Sequence, residues 1–168
     1  IAHGEEAINF TKLKVLRKNY LSKINNISNH SLYITDKMPH NFRYISLILS
    51  AFPDAKIIHV KRDAAATCWS NFKHYFKYDN LSYSNDIVNT VKYFELYRDL
   101  MKFWNEQYTD KIFELDYDLL TVDQENQSRK LINFVDLNWE KNCLSPHKNK
   151  RSVQTASSQQ VRKKVYQN

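Results

Sequence analysis

Apolar side chains recur along this chain in two rhythms, one of three and four residues and one of two. Between residues 8 and 24, Leu13, Leu16, Tyr20 and Ile24 fall near helical spacing with charges between them, which predicts an amphipathic helix. Residues 25–30 read as a polar loop, and residues 32–35 as a short strand that Asp36-Lys37-Met38-Pro39 breaks. A second helix is expected from about Asn41 on the stripe Phe42, Ile45, Ile48, Leu49 and Phe52, with Pro53 ending it. Ile57, Ile58 and Val60, entered from Phe52-Pro53-Asp54, predict a buried strand, because β-branched residues suit a packed, pleated surface. From Asp63, an N-cap residue, small helix formers take over and carry a helix to about Tyr75 or Phe76.

Residues 78–85 are a loop by composition. The longest helix is expected from Asp86 to about Tyr108, and its stripe of Ile87, Val91, Phe94, Tyr97, Met101, Trp104 and Tyr108 reads as core. Residues 111–117 alternate like a strand. Thr121-Val122-Asp123-Gln124 fits a capping box for a helix that buries Leu131, Ile132 and Val135. Regular periodicity fades after Asn138. Strands separated by helices imply crossover connections, hence an α/β fold with a parallel sheet and helices on its faces.

Composition changes the picture in three places. The 168 residues are 42% hydrophobic and 14% aromatic, so a single packed domain is expected. Gly4 is the one glycine, which excludes a glycine-rich phosphate loop of Walker or dinucleotide-binding type. The net charge is +7, and seven cations lie beyond residue 140 (Lys141, Lys148, Lys150, Arg151, Arg162, Lys163 and Lys164) with no acid among them. The body before them is therefore neutral and the tail basic, which suggests one anion site or a solvated arm more than a nucleic-acid surface. Cys68 and Cys143 have no metal-ligand spacing, and a reduced, intracellular, cytoplasmic setting is the default expectation. No apolar run approaches the length of a membrane span.

Candidate chemistry gathers where the 55–60 strand meets its helix. Lys61-Arg62 stands at that corner, and in an open α/β sheet ligands bind at this edge, where a helix N-terminus favours anions. A guanidinium grips phosphate oxygens as a fork, and Ser70, about 10 Å along the helix, adds a hydroxyl donor. Ala64, Ala65 and Ala66 keep the first turn slim. The plain alternative is a solvated Lys-Arg pair with Asp63 as an ordinary cap. His3, His30, His40, His59, His74 and His147 show no triad or metal spacing, and His59 reads most simply as a satisfied sheet or core histidine. Glu5 and Glu6 suit the positive end of a helix better than the role of a general base.

The stretch from Phe52 to Ser70 resembles the 3′-phosphate motif of sulfotransferases, in which a strand-end Arg and a Ser eight residues later bind the 3′-phosphate of 3′-phosphoadenosine 5′-phosphosulfate. Arg62 and Ser70 have that separation. One branch is closer: the bacterial sulfotransferases often fused to tetratricopeptide repeats, which are similar to tyrosylprotein sulfotransferases. Thr35-Asp36-Lys37-Met38-Pro39-His40-Asn41-Phe42 resembles its Thr-Asp-Lys-Met-Pro-x-Asn-Phe segment, and Asp116-Tyr117-Asp118-Leu119 its Tyr-Glu-x-Leu element. Arg151-Ser152-Val153-Gln154-Thr155-Ala156-Ser157 and Gln160-Val161-Arg162 resemble its Arg-x-Val-x-Thr-Ala-Ser and Gln-Val-Arg elements.

The resemblance implies a P-loop-like three-layer α/β fold. It also implies transfer of a sulfuryl group from 3′-phosphoadenosine 5′-phosphosulfate to a hydroxyl on a tyrosine, sugar or small molecule, with no metal. Arg62 and Ser70 would hold the 3′-phosphate, and Tyr117 would sit beside the nucleotide, although a half-buried strand tyrosine explains it equally well. Ser157, Arg162 and Lys163 would bring residues 141–168 back over the nucleotide. Lys37 would stabilise charge on the transferring group, or else merely pair with Asp36 or cap a helix. The family's Pro-Arg-Ser-Gly-Thr-Thr-like loop for the 5′-phosphosulfate has no counterpart here, and Ala64 and Lys164 replace prolines. The chain is therefore expected to be one partial sulfotransferase domain, incomplete at both termini and lacking half of its cofactor site. The rivals are a non-catalytic basic module that binds nucleic acid through residues 141–168, with Trp69 and Tyr75 stacking bases, and another nucleotide-dependent group transferase.

Overall fold

The computed structural model describes residues 9–28, 31–74, 76, 79–149 and 162. It mixes six helices, numbered α1 to α6, with a two-stranded parallel sheet among these residues. The chain divides into two compact units, one formed by residues 1–55 and 99–107, the other by 56–98 and 108–168.

The first unit holds α1 (Phe10–Ser28), a 3-10 turn at Pro39–Tyr44 and α2 (Ile45–Ala51), together with the last residues of a long helix. Its core is Ile45, Leu49, Ala51 and Met101. The Trp104 indole N–H donates to the Phe42 carbonyl at 2.8 Å. Arg17 donates to the Ala51 carbonyl at 3.0 Å and stacks over Phe52, against whose ring Tyr20 packs edge-on. The predicted second helix thus begins as a 3-10 turn on Pro39, whose fixed φ suits a helix start, and becomes α-helical at Ile45.

Two expectations fail here. Residues 25–28 continue α1 instead of forming a loop. Asn and Ser cost a helix only fractions of a kcal/mol each, about 0.5, and the turn that ends it is made later, where the Ser31 amide and hydroxyl both donate to the Ser28 carbonyl. Residues 32–35 are irregular rather than a strand, with Leu32 94% exposed. A strand exists only by pairing, and β1 and β2 are the paired segments among the described residues.

The second unit is built on β1 (Ile57–Lys61) and β2 (Ile112–Asp116), parallel and in register from Ile57 opposite Ile112 to Lys61 opposite Asp116. Between them run α3 (Ala64–Phe72), a 3-10 segment at Asp79–Asn85 in place of the expected loop, and α4 (Ile87–Gln107), which gives residues 87–98 to this unit and 99–107 to the first. Then follow α5 (Tyr117–Val122) and α6 (Gln124–Phe134). Ile112, Leu115 and Cys68 are buried. Asp86 caps α4 through the Asn89 amide, and the buried Thr90 hydroxyl bonds to the Asp86 and Tyr83 carbonyls.

The strand expected to be buried has one open face: Ile58 and Val60 are 40% and 55% exposed. The two alternate along β1 and so share one face of the sheet, which the described residues leave partly exposed. The capping box also fails. Thr121 lies inside α5, where its hydroxyl bonds to the Asp118 carbonyl, and Asp123 precedes α6 without a side-chain cap bond. Asp116 had already nucleated a helix five residues earlier by accepting from the Asp118 and Leu119 amides. Among the described residues no helix is long and apolar enough to cross a membrane.

One polar cluster crosses the sheet. His59 Nδ1 lies 3.2 Å from Glu114 Oε1, its Nε2 meets the Tyr97 hydroxyl, and Lys61 Nζ is 3.1 Å from Glu114 Oε2. The network assigns the proton to Nδ1, with the tyrosine donating to Nε2. Burial lowers the His59 pKa below its ordinary 6.5, against the opposing pull of Glu114. The unfolded chain therefore takes up a proton at a higher pH than the folded one. The stability contributed by neutral His59 should be complete above pH 6.5 and lost as pH falls through and below that value. Melting temperatures measured from pH 7.5 to 5 should show this decline, and His59→Gln should flatten it.

Candidate functional site

Parallel register brings two strand ends together. Because Lys61 lies opposite Asp116, the next residues, Arg62 and Tyr117, leave the sheet side by side. The Arg62 guanidinium sits over the Tyr117 ring, 5.6 Å from its centroid. Its Nε is 3.7 Å from Asp118 Oδ1, while Asp118 Oδ2 accepts the Asp63 amide at 3.0 Å. Asp63 in turn caps α3 by accepting the Ala66 amide at 2.7 Å.

The two cations of the Lys61-Arg62 pair therefore have different fates. Lys61 points along the sheet to Glu114, and Arg62 holds the corner. Two carboxylates, Asp63 and Asp118, already take the amides of Asp63 and Ala66 at the start of α3. Their charge disfavours an anion directly on that helix N-terminus, contrary to the simplest reading of the strand-to-helix corner. An anion is better served by the terminal nitrogens of Arg62, whose side chain is 35% exposed. Ser70 is exposed on α3. At 100° per residue it falls on the same helix stripe as Asp63, about 10 Å along the axis. Exposed Trp69 is its neighbour and packs at a tilt against Phe72, ring centroids 5.8 Å apart.

Lys37 belongs to the first unit, exposed in the irregular run before Pro39. It does not pair with Asp36. That carboxylate accepts the Tyr20 hydroxyl at 2.7 Å and the Asn41 side-chain amide at 3.4 Å. Burial, with the hydrogen bond to and charge of Asp36, pushes the Tyr20 hydroxyl up to about 12. Among the described residues Lys37 makes no ion pair. Arg162 is exposed, and Ser157 and Lys163 lie outside the described residues.

The structure thus gathers Arg62, Tyr117 and the start of the Ser70 helix in one unit. It adds Asp118, which sequence reasoning left without a role. The available signal was an acid directly after the strand-end tyrosine, in Asp116-Tyr117-Asp118. Among the described residues no three His, Cys, Asp or Glu side chains cluster as metal ligands.

Comparison with known proteins adds two findings. Residues 2–141 match the sequence profile of the Sulfotransferase family. The chain is also 37% identical over 156 residues to an uncharacterized protein of Aquifex aeolicus (strain VF5), an alignment covering 92% of this chain and 20% of that protein. The chain accordingly spans about a fifth of the length of that relative.

Asp63 is both the cap of α3 and a part of the corner. Asp63→Ala should lower unfolding stability by about 1 kcal/mol, in the usual range for losing an N-cap. Urea denaturation would check this; a change within error would mean that the cap does not hold α3.

Proposed function

This chain belongs to the sulfotransferase family, and from that premise we propose that it carries the nucleotide 3′-phosphate half of a sulfuryl-transfer site. The donor in this reading is 3′-phosphoadenosine 5′-phosphosulfate, and the acceptor is a hydroxyl on a tyrosine, sugar or small molecule. The observation that carries it is Arg62 at the end of β1, set against Tyr117 and Asp118 with its side chain 35% exposed. A bidentate guanidinium on a phosphate is the geometry for which such a fork is suited.

In this proposal Ser70 adds a hydroxyl donor to the same phosphate, and Tyr117 borders the nucleotide. Ser157, Arg162 and Lys163 contribute further nucleotide contacts from the basic segment 141–168, beyond the part matched by the family profile. Lys37 stabilises the negative charge that develops on the transferring group, work that fixed cations do in in-line group transfer. The free thiols of Cys68 and Cys143 suit a reducing compartment such as a bacterial cytoplasm. We also place the chain in the P-loop-like, three-layer architecture of the family and in its tetratricopeptide-associated, tyrosylprotein-like branch. The motifs at Lys37 and Tyr117 support that placement.

Calorimetric titration distinguishes this reading from its rivals. 3′-Phosphoadenosine 5′-phosphate should bind roughly tenfold to a hundredfold more tightly than adenosine 5′-phosphate, the usual worth of a charge-assisted hydrogen-bonded contact. Arg62→Ala should erase that preference. Steep salt dependence with no 3′-phosphate preference would instead favour a nucleic-acid surface. In the whole enzyme, Lys37→Ala should lower kcat about a hundredfold or more while leaving nucleotide affinity unchanged. A purely structural Lys37 would leave kcat near that of the wild type.

A further inference from the structure

We infer that Asp118 is a positioning residue, holding the Arg62 guanidinium by its Nε side so that the two terminal nitrogens face solvent as a preformed anion fork. This rests on the reading that Arg62 grips a phosphate.

Five contacts carry it. Asp118 Oδ1 lies 3.7 Å from Arg62 Nε, and Oδ2 accepts the Asp63 amide at 3.0 Å. One carboxylate thus spans the side chain and the following peptide at the end of β1. Asp118 is itself fixed from behind, its amide donating to Asp116 Oδ1 at 3.0 Å and its carbonyl accepting the Thr121 hydroxyl at 2.7 Å. The Tyr117 ring, its centroid 5.6 Å from the guanidinium carbon, borders a second side.

An exposed arginine ordinarily samples many rotamers and loses that freedom when it grips a ligand. Contact through Nε leaves both terminal nitrogens available for two parallel bonds to phosphate oxygens. Ordering the side chain in advance removes part of the entropic cost of binding. The opposing effect is repulsion between the Asp118 carboxylate and the phosphate. With Asp118 53% exposed, that repulsion is weakened by water and salt, and the two charges stand on opposite sides of the guanidinium.

Asp118→Asn separates the roles, because it keeps an oxygen for the Asp63 amide while removing the charge that holds Arg62. By calorimetry, the preference for 3′-phosphoadenosine 5′-phosphate over adenosine 5′-phosphate should fall about threefold to tenfold, the range for releasing one long side chain. The melting temperature and the affinity for adenosine 5′-phosphate should stay near wild type, and Asp118→Glu should keep most of the preference. An unchanged or larger preference in Asp118→Asn overturns the proposal, the larger one marking Asp118 as a competitor for the site. A second measurement needs no Asp118 variant. The Arg62 Nε–H resonance of the unliganded chain, assigned by its loss in Arg62→Lys, should be dispersed and slow to exchange; a random-coil signal overturns the proposal. If Arg62→Ala leaves the 3′-phosphate preference intact, the phosphate reading itself falls. If Arg62→Ala abolishes it and Asp118→Asn does not alter it, only the role of Asp118 falls.

Discussion

Parallel pairing of β1 with β2 is the constraint on which the corner depends. With Lys61 opposite Asp116, both strands end at the same level, and each chain turns at once into a helix capped by an aspartate. Asp63 starts α3 and Asp116 starts α5. A shift of one residue in either strand would send Arg62 and Tyr117 to opposite faces, since side chains alternate along a strand. Asp118 would then lose its reach to Arg62 and to the Asp63 amide together.

Charge is distributed around this sheet by pairing rather than by excess. Glu114 serves both His59 and Lys61, and Asp118 serves Arg62. Each cation near the strand end thereby has a direction. The surplus behind the net +7 of the chain lies beyond residue 140, whereas the charges around the sheet are matched one against another.

Much of this was legible locally. Asp63 and Asp86 cap the helices that their sequence context predicted, because N-caps depend on three or four consecutive residues. The β-branched run at Ile57 and the alternation at Ile112 are strands, and the helices between them implied the parallel pairing that is found. Thr121 fits a capping box, but Asp116 caps a helix first and draws Thr121 into it. Residues 32–35 have strand character that came to nothing among the described residues, since β propensity is realised only against a partner. His59 is satisfied as expected, although no spacing announced that Tyr97, 38 residues away, would be a partner.

At the corner, the sequence by itself determined the ingredients: an arginine closing a strand, a capping aspartate after it, a serine along the helix, and a tyrosine–aspartate pair closing a second strand. These are properties of short stretches, and local propensity and motif are enough to read them. Only the tertiary structure decided which of the two adjacent cations turns to Glu114 and which to Asp118. It also placed Asp118, 55 residues after Asp63, so as to join the two strand ends. Register between distant strands is a long-range choice, made by tertiary packing, and no stretch of either strand contains it.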